Sequence, residues 1–173
     1  LTVEFEEDPS DFMNVFTKSE PAASGISRMI PSYTVSAVTL PMKDTDAYIS
    51  AYQSYMDYRQ SLQSYKRKQR ELETRTGIKP EDFVRRLGVK EVARVDFPIS
   101  EGLTSVNLLK VSKRDTLVFV GTENKSFEDY VPSTHAWPYA SFISSVFGSF
   151  FELPDESCFT YIDGWIISGS LAA

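Results

Sequence analysis

The chain has one cysteine, Cys158, and one histidine, His135, in 173 residues. A single cysteine excludes an intrachain disulfide, and with it the stapled scaffolds of small secreted domains. With one histidine and one cysteine, a zinc site would need carboxylates to complete it, and no ligand spacing suggests one. The eight glycines are scattered, and none falls in a Gly-x-Gly-x-x-Gly or Walker arrangement, so no nucleotide signature is present. No window approaches the ~18 apolar residues that a membrane-crossing helix requires. Positive charge is also in short supply: 18 Lys+Arg against 24 Asp+Glu give a formal net charge of −6. A nucleic-acid reader needs a basic face to neutralise phosphates, so no nucleic acid is expected as the main partner. The one dense basic run, Lys66-Arg67-Lys68 with Arg70, is diluted by Glu71 and Glu73 and reads as a solvated helix face.

Aromatic residues, by contrast, make up 13% of the chain, with 12 Phe and 9 Tyr. Tyrosine has an apolar body and a polar tip, which suits half-buried faces and recognition surfaces. Apolar residues at 42% and charged residues at 24% are ordinary for a globular domain. A chain of this length hides roughly 70% of its unfolded surface, enough for one sizeable core.

Alternation of Leu1, Val3 and Phe5 with polar residues predicts a short strand. Phe12, Met13, Val15 and Phe16 fit a turn or two of helix, or another strand, and residues 19–25 read as a loop. Tyr33 to Leu40 reads as a strand between Pro31 and Pro41. Asp44 or Thr45 then caps a helix; Asp44-x-Asp46 lacks the further oxygen ligands of a calcium loop. From about Asp46 to Thr76 there is no Pro or Gly, which predicts one long helix stopped by Gly77. Written as heptads, one seam carries Tyr48, Tyr55, Leu62 and Gln69, the other Ala51, Tyr58, Tyr65 and Leu72. Such a rod would run roughly 45 Å, longer than the ~30 Å diameter of a domain this size. Its C-terminal half should therefore lean away from the core, where substitution of Gln69 would be nearly neutral. Ile78 to Gly88 is a compact second helix with Pro80 in its first turn. Strands follow at Val89–Phe97, Leu103–Val111 and Thr116–Val120, the last as the candidate central strand. Tyr139 to Phe151 is helical, with Phe142, Val146 and Phe150 inward. Asp163-Gly164 joins two apolar runs as a type I′ hairpin turn.

The fold class that follows is α+β: an antiparallel sheet with one long helix and two or more shorter helices packed on it. The chain forms a single domain over 1–173. It opens on Leu1 and stops abruptly, which suggests a fragment of a longer chain. A weak echo, Ile30-Pro31-Ser32 and Val131-Pro132-Ser133, divides it into a candidate duplication, 30–121 and 131–173.

The run Thr76-Gly77-Ile78-Lys79-Pro80-Glu81, the stretch Leu87 to Ala93 and the closing Asp163-Gly164-Trp165 hairpin carry a resemblance. It covers about Ile30 to Val95 and Phe159 to Ser170. These segments resemble an uncharacterised extracytoplasmic family of Bacteroidetes-type bacteria, a domain of unknown function whose members are often lipoproteins. The resemblance implies a place in the cell envelope, in the periplasm or on the outer surface of a Gram-negative cell, and a lipid anchor in the precursor. It brings no catalytic residue and no cofactor.

Three functions are compatible with these residues. The first is a non-enzymatic module that binds a protein or other macromolecule. Its tyrosine stripe holds more rings than a narrow seam buries, and Tyr52, Tyr58, Tyr65 and Trp137 are its candidate binding residues. The second is a small hydrolase using His135 with a carboxylate such as Glu91, which shares a strand face with Val89, Ala93, Val95 and Phe97. A buried carboxylate must be paired or protonated, and Arg85 or Arg86 stand nearby as partners. The third is a structural domain docking onto the remainder of the parent chain. Cys158 opens an apolar run and reads as an inert buried thiol.

Overall fold

Period-two alternation dictates strands with one face on each core, and the chain builds one antiparallel sheet from them. The computed structural model describes residues 11–17, 20, 22–100, 102–112 and 135–170. Its strands are β1 (Ser36–Pro41), β2 (Val89–Ile99), β3 (Gly102–Val111), β4 (His135–Ala136), β5 (Cys158–Ile162) and β6 (Trp165–Gly169). They lie in the order β1-β2-β3-β6-β5-β4. The helices are α1 (Asn14–Thr17), α2 (Thr45–Tyr58), α3 (Leu62–Thr76), α4 (Pro80–Leu87) and α5 (Phe142–Phe147). The protein is α+β with an antiparallel sheet. The strands expected at Leu1–Phe5 and Thr116–Val120 lie outside the described residues.

Both halves of the sheet have the same element order. On one side run β1, helices, β2 and β3; on the other β4, α5, β5 and β6. The two hairpins meet where β3 and β6 pair antiparallel, from Asn107 opposite Ser168 to Lys110 opposite Trp165. The Pro-Ser echo behind the division 30–121 and 131–173 falls partly outside the described residues. The repeated element order is independent of it.

Local chemistry sets the boundaries. The Asp44 carboxylate accepts from the Asp46 and Ala47 amides at 2.9 and 3.1 Å, capping α2. Pro80 opens α4, Glu81 and Asp82 follow in its first turn, and Gly88 ends it with φ 59°. Asp163 and Gly164 have φ 48° and 86°, both positive as a type I′ turn requires.

The single long helix is the main correction. The run breaks at Arg59-Gln60-Ser61, and α2 and α3 pack against each other. The Ser61 amide donates to the Met56 carbonyl at 2.8 Å and the Gln60 amide to the Asp57 carbonyl at 2.9 Å. Those two bonds form a Schellman cap, with Gln60 in the left-handed position at φ 55°. A straight rod would leave one half without a core to cover, whereas the elbow folds both halves onto the same one. The rings of Tyr52 and Tyr65 stand 5.9 Å apart. Thirteen residues of straight helix would separate them by about 20 Å.

The α3 half is accordingly not a projecting arm. Tyr65, Gln69 and Leu72 are buried, and Gln69 Nε2 donates to the Ser145 carbonyl in α5 at 3.0 Å. Gln69 is therefore no neutral position. Tyr58, placed on the seam by the heptads, is instead 57% exposed at the elbow. Phe150 also departs from expectation: Gly148 interrupts the helix, and the ring is 50% exposed on the 3₁₀ turn Ser149–Phe151.

One sheet face carries Val92, Leu109, Val111 and Ile166 against the helices. The other carries Ala93, Val95, Val106, Leu108 and Trp165 against the 3₁₀ turn Ile26–Arg28.

A side chain in the left-handed region costs about 1–2 kcal/mol that glycine escapes. Gln60→Gly should therefore raise stability by roughly 0.5–1 kcal/mol in denaturant titration. In an uninterrupted helix the same change would lower it by about 1 kcal/mol, and that result would contradict the elbow.

Candidate functional site

The elbow creates two concavities, one on each side of α3. The first is a groove between the elbow and the α5–3₁₀ segment, in two contiguous parts of about 420 and 280 Å³ that share Tyr52, Met56, Ser61 and Ser149. Its walls are aromatic: Tyr52 and Tyr55 stack with centroids 6.2 Å apart, Phe12 packs edge-on against both, and Phe147 and Phe150 also line it. Hydroxyls of Ser61, Ser64 and Ser149 punctuate it, and Arg59 and Lys68 line it. None of the described lining residues is a carboxylate, in a chain where Asp and Glu outnumber Lys and Arg.

The second concavity lies between α2, α3 and α4. At its floor the Tyr65 hydroxyl and Gln53 Nε2 both donate to Glu81 Oε1, at 2.5 and 2.7 Å. Burial, and then the hydrogen bond to Glu81, raise the Tyr65 phenol far above its ordinary range. Tyr65 is therefore a fixed donor and not a base or nucleophile.

Of the candidate binding residues, Tyr52 and Tyr65 line these concavities with most of their surface buried, and Tyr58 stands exposed beside them. Trp137 is elsewhere. It is 4% exposed, with Phe83, Tyr139 and Phe159 around it at centroid distances of 5.9, 5.4 and 5.3 Å. It is a core residue because β4 feeds the chain directly into the sheet and α5 closes over it. The residues that sequence reasoning missed are Tyr55, Arg59 and Lys68. Only the elbow brings them to one groove, and no spacing in the sequence announces it.

The hydrolase pair is not brought together. Glu91 lies on β2 and His135 on β4, four strand spacings apart, roughly 19 Å across the sheet. Glu91 is 1% exposed and its oxygens are occupied. Oε1 accepts from the Ser24 and Thr39 hydroxyls at 2.5 and 2.6 Å, and Oε2 from the Gly25 amide at 2.8 Å. Arg85, expected as a partner, is bound instead to Asp46 and Asp82. Glu91 thus clips the segment at residues 24–25 to β1 and β2. Gly25 fits closely there: a Cβ on it would lie 2.9 Å from Lys110 Nζ and 3.5 Å from Trp165. Lys110 in turn sits over the Trp165 ring, 5.8 Å from its centroid.

A second buried carboxylate, Glu156, accepts from the Ser168 hydroxyl at 2.5 Å and the Ser141 amide at 3.1 Å. Burial raises its pKa, and the hydrogen bonds from Ser168, Ser141 and Asn107 oppose that rise in part. Burial likewise pushes the Cys158 thiol up, as befits an inert cysteine whose Sγ donates to the Gly169 carbonyl. Among the described residues no group of three or more His, Cys, Asp or Glu is placed to hold a metal ion, and no helix is long and apolar enough to cross a membrane. No family model, curated protein or solved structure matches the chain.

Two substitutions test these carboxylates. Glu91→Ala strands three donors and should cost about 3 kcal/mol in denaturant titration. A loss under roughly 0.5 kcal/mol would mark Glu91 as a solvated strand end. A carboxyl whose folded pKa lies above its unfolded value binds its proton more tightly when folded. Its contribution is complete below the ordinary glutamate range and is lost as pH rises through the raised value. The stability of Glu156→Gln relative to the parent should therefore rise as pH climbs above the ordinary glutamate range of about 4. A difference independent of pH would show that the Glu156 carboxyl is not strained by burial.

Proposed function

We propose that the protein is a non-enzymatic, extracytoplasmic interaction module that holds an extended acidic segment of a partner protein in the groove beside the elbow. The observation that carries this reading is the groove's composition. Aromatic walls, serine hydroxyls and two cations line it, with no carboxylate among the described lining residues of a chain whose net charge is −6. Aromatic rings supply contact area at low entropic cost, the hydroxyls meet main-chain groups, and Arg59 and Lys68 select acidic side chains. The separation of Glu91 from His135 supports binding over hydrolysis. The extracytoplasmic location rests on the resemblance of the Thr76–Glu81, Leu87–Ala93 and Asp163–Trp165 segments.

The test is fluorescence anisotropy with a labelled peptide alternating Asp and Phe, against a matched peptide with Lys in place of Asp. The acidic peptide should bind saturably. Charge reversal by Arg59→Glu with Lys68→Glu should weaken it at least about tenfold while leaving thermal stability unchanged, since both side chains are at the surface. Equal binding of the basic peptide, or indifference to the charge reversal, would contradict the reading. So would a hydrolytic activity lost in His135→Ala.

A further inference from the structure

We infer that in the free protein residues 1–8 of the same chain occupy the groove beside the elbow, so that an acidic partner segment binds by displacing them. The inference rests on the groove reading above and names the competitor that regulates it.

The sequence of these residues, Leu-Thr-Val-Glu-Phe-Glu-Glu-Asp, matches the ligand that the groove's lining selects. It holds four carboxylates and no Lys or Arg. Leu1, Val3 and Phe5 alternate with Thr2, Glu4 and Glu6, so an extended segment of this sequence presents apolar side chains on one side and carboxylates on the other. The groove offers aromatic walls to the first set, and Arg59 and Lys68 to the second. Phe12 and Phe150 at its walls remain 38% and 50% exposed, which leaves apolar surface for an occupant to cover.

A second, independent observation is where α1 delivers the chain. The Asp11 carboxylate accepts from the Met13 amide at 2.9 Å and the Asp11 carbonyl from the Asn14 amide at 3.0 Å, which fixes the start of α1. The next residue, Phe12, is itself a groove wall, with its ring 5.6 Å from Tyr55 and 6.2 Å from Tyr52. The residues just before it therefore begin at the groove. Two ring-to-ring steps, 6.2 Å from Phe12 to Tyr52 and 5.9 Å from Tyr52 to Tyr65, lead to the far part that Lys68 lines. Phe5 precedes Phe12 by seven positions in the sequence. An extended chain of that length spans roughly 23 Å, enough to reach both parts. A tether this short holds the segment at an effective concentration in the millimolar range, so it competes with any free segment of similar chemistry.

The experiment repeats the anisotropy titration with the labelled Asp-Phe peptide on the full chain and on two variants of it. Glu4→Gln with Phe5→Ser, Glu6→Gln and Glu7→Gln should bind the peptide at least about tenfold tighter than the parent, because the groove is no longer occupied in cis. Phe5→Ser alone, which leaves the charge unchanged, should tighten binding at least about threefold. The backbone amides of Tyr55, Met56, Arg59 and Lys68 should shift between parent and fourfold variant, and equally so after about tenfold dilution, since an intramolecular contact is independent of concentration. Equal binding by parent and variants would overturn the inference and leave the groove reading standing. A gain in the fourfold variant with none in Phe5→Ser would reduce the effect to net charge and overturn it too. Shifts that vanish on dilution would assign the segment to a second copy, against occupation in cis. Absence of saturable binding by the fourfold variant would overturn the groove reading itself.

Discussion

The elbow at Arg59-Gln60-Ser61 is the constraint on which the candidate sites depend. A helical run from Thr45 to Thr76 is too long for the core beneath it, and burial of apolar surface is the dominant favourable term in folding. Bending the run lets Tyr48, Ile49 and Tyr52 from one half and Tyr65 and Leu72 from the other share that core. The cost is a left-handed glutamine and a few unmade helical hydrogen bonds, offset by the Schellman pair and the ring contacts it permits. The bend also determines where charge goes. It turns one flank of α3 toward α5, leaving Lys68 over an aromatic groove. It turns the other toward α4, where Lys66, Arg70, Lys79 and Glu81 line the second concavity.

The two buried carboxylates do a different kind of work. Glu91 and Glu156 serve opposite faces of the sheet, and each holds irregular chain to it. Glu91 clips residues 24–25 over the Trp165 face. Glu156 joins the Ser168 hydroxyl to the start of α5, while Asn107 Nδ2 holds the Phe151 carbonyl at 2.8 Å. These segments lack the periodic hydrogen bonds of helix or strand, so a carboxylate with several acceptor positions is an economical anchor. Such groups resemble catalytic acids in a sequence, and only the occupancy of their oxygens tells the two roles apart.

Much of the fold was legible. Asp44 as a cap, Pro80 and Gly88 around α4, the β2–β3 hairpin and the Asp163-Gly164 turn all follow from local chemistry that tertiary packing did not override. The elbow was not legible, because its signal is normally glycine and here glutamine occupies the left-handed position. Once the break is missed, the heptads misplace Tyr58, and the projected rod makes Gln69 look dispensable although its seam position is indeed buried. Trp137 was misjudged for a related reason: a loop aromatic beside prolines looks exposed until β4 and α5 are known to enclose it. The groove residues Tyr55, Arg59 and Lys68 are separated by the elbow, and their convergence is a tertiary fact. The basic run was visible, but a solvated face and a cation-lined cleft have the same sequence.

The most direct test of the elbow is a nuclear Overhauser measurement between the rings of Tyr52 and Tyr65, together with the backbone coupling of Gln60. A folded-back pair predicts ring-to-ring contacts, consistent with centroids 5.9 Å apart, and a coupling that reports positive φ at Gln60. An uninterrupted ladder of helical contacts through residues 57–64, with no contact between the two rings, would contradict it and would remove the groove at once.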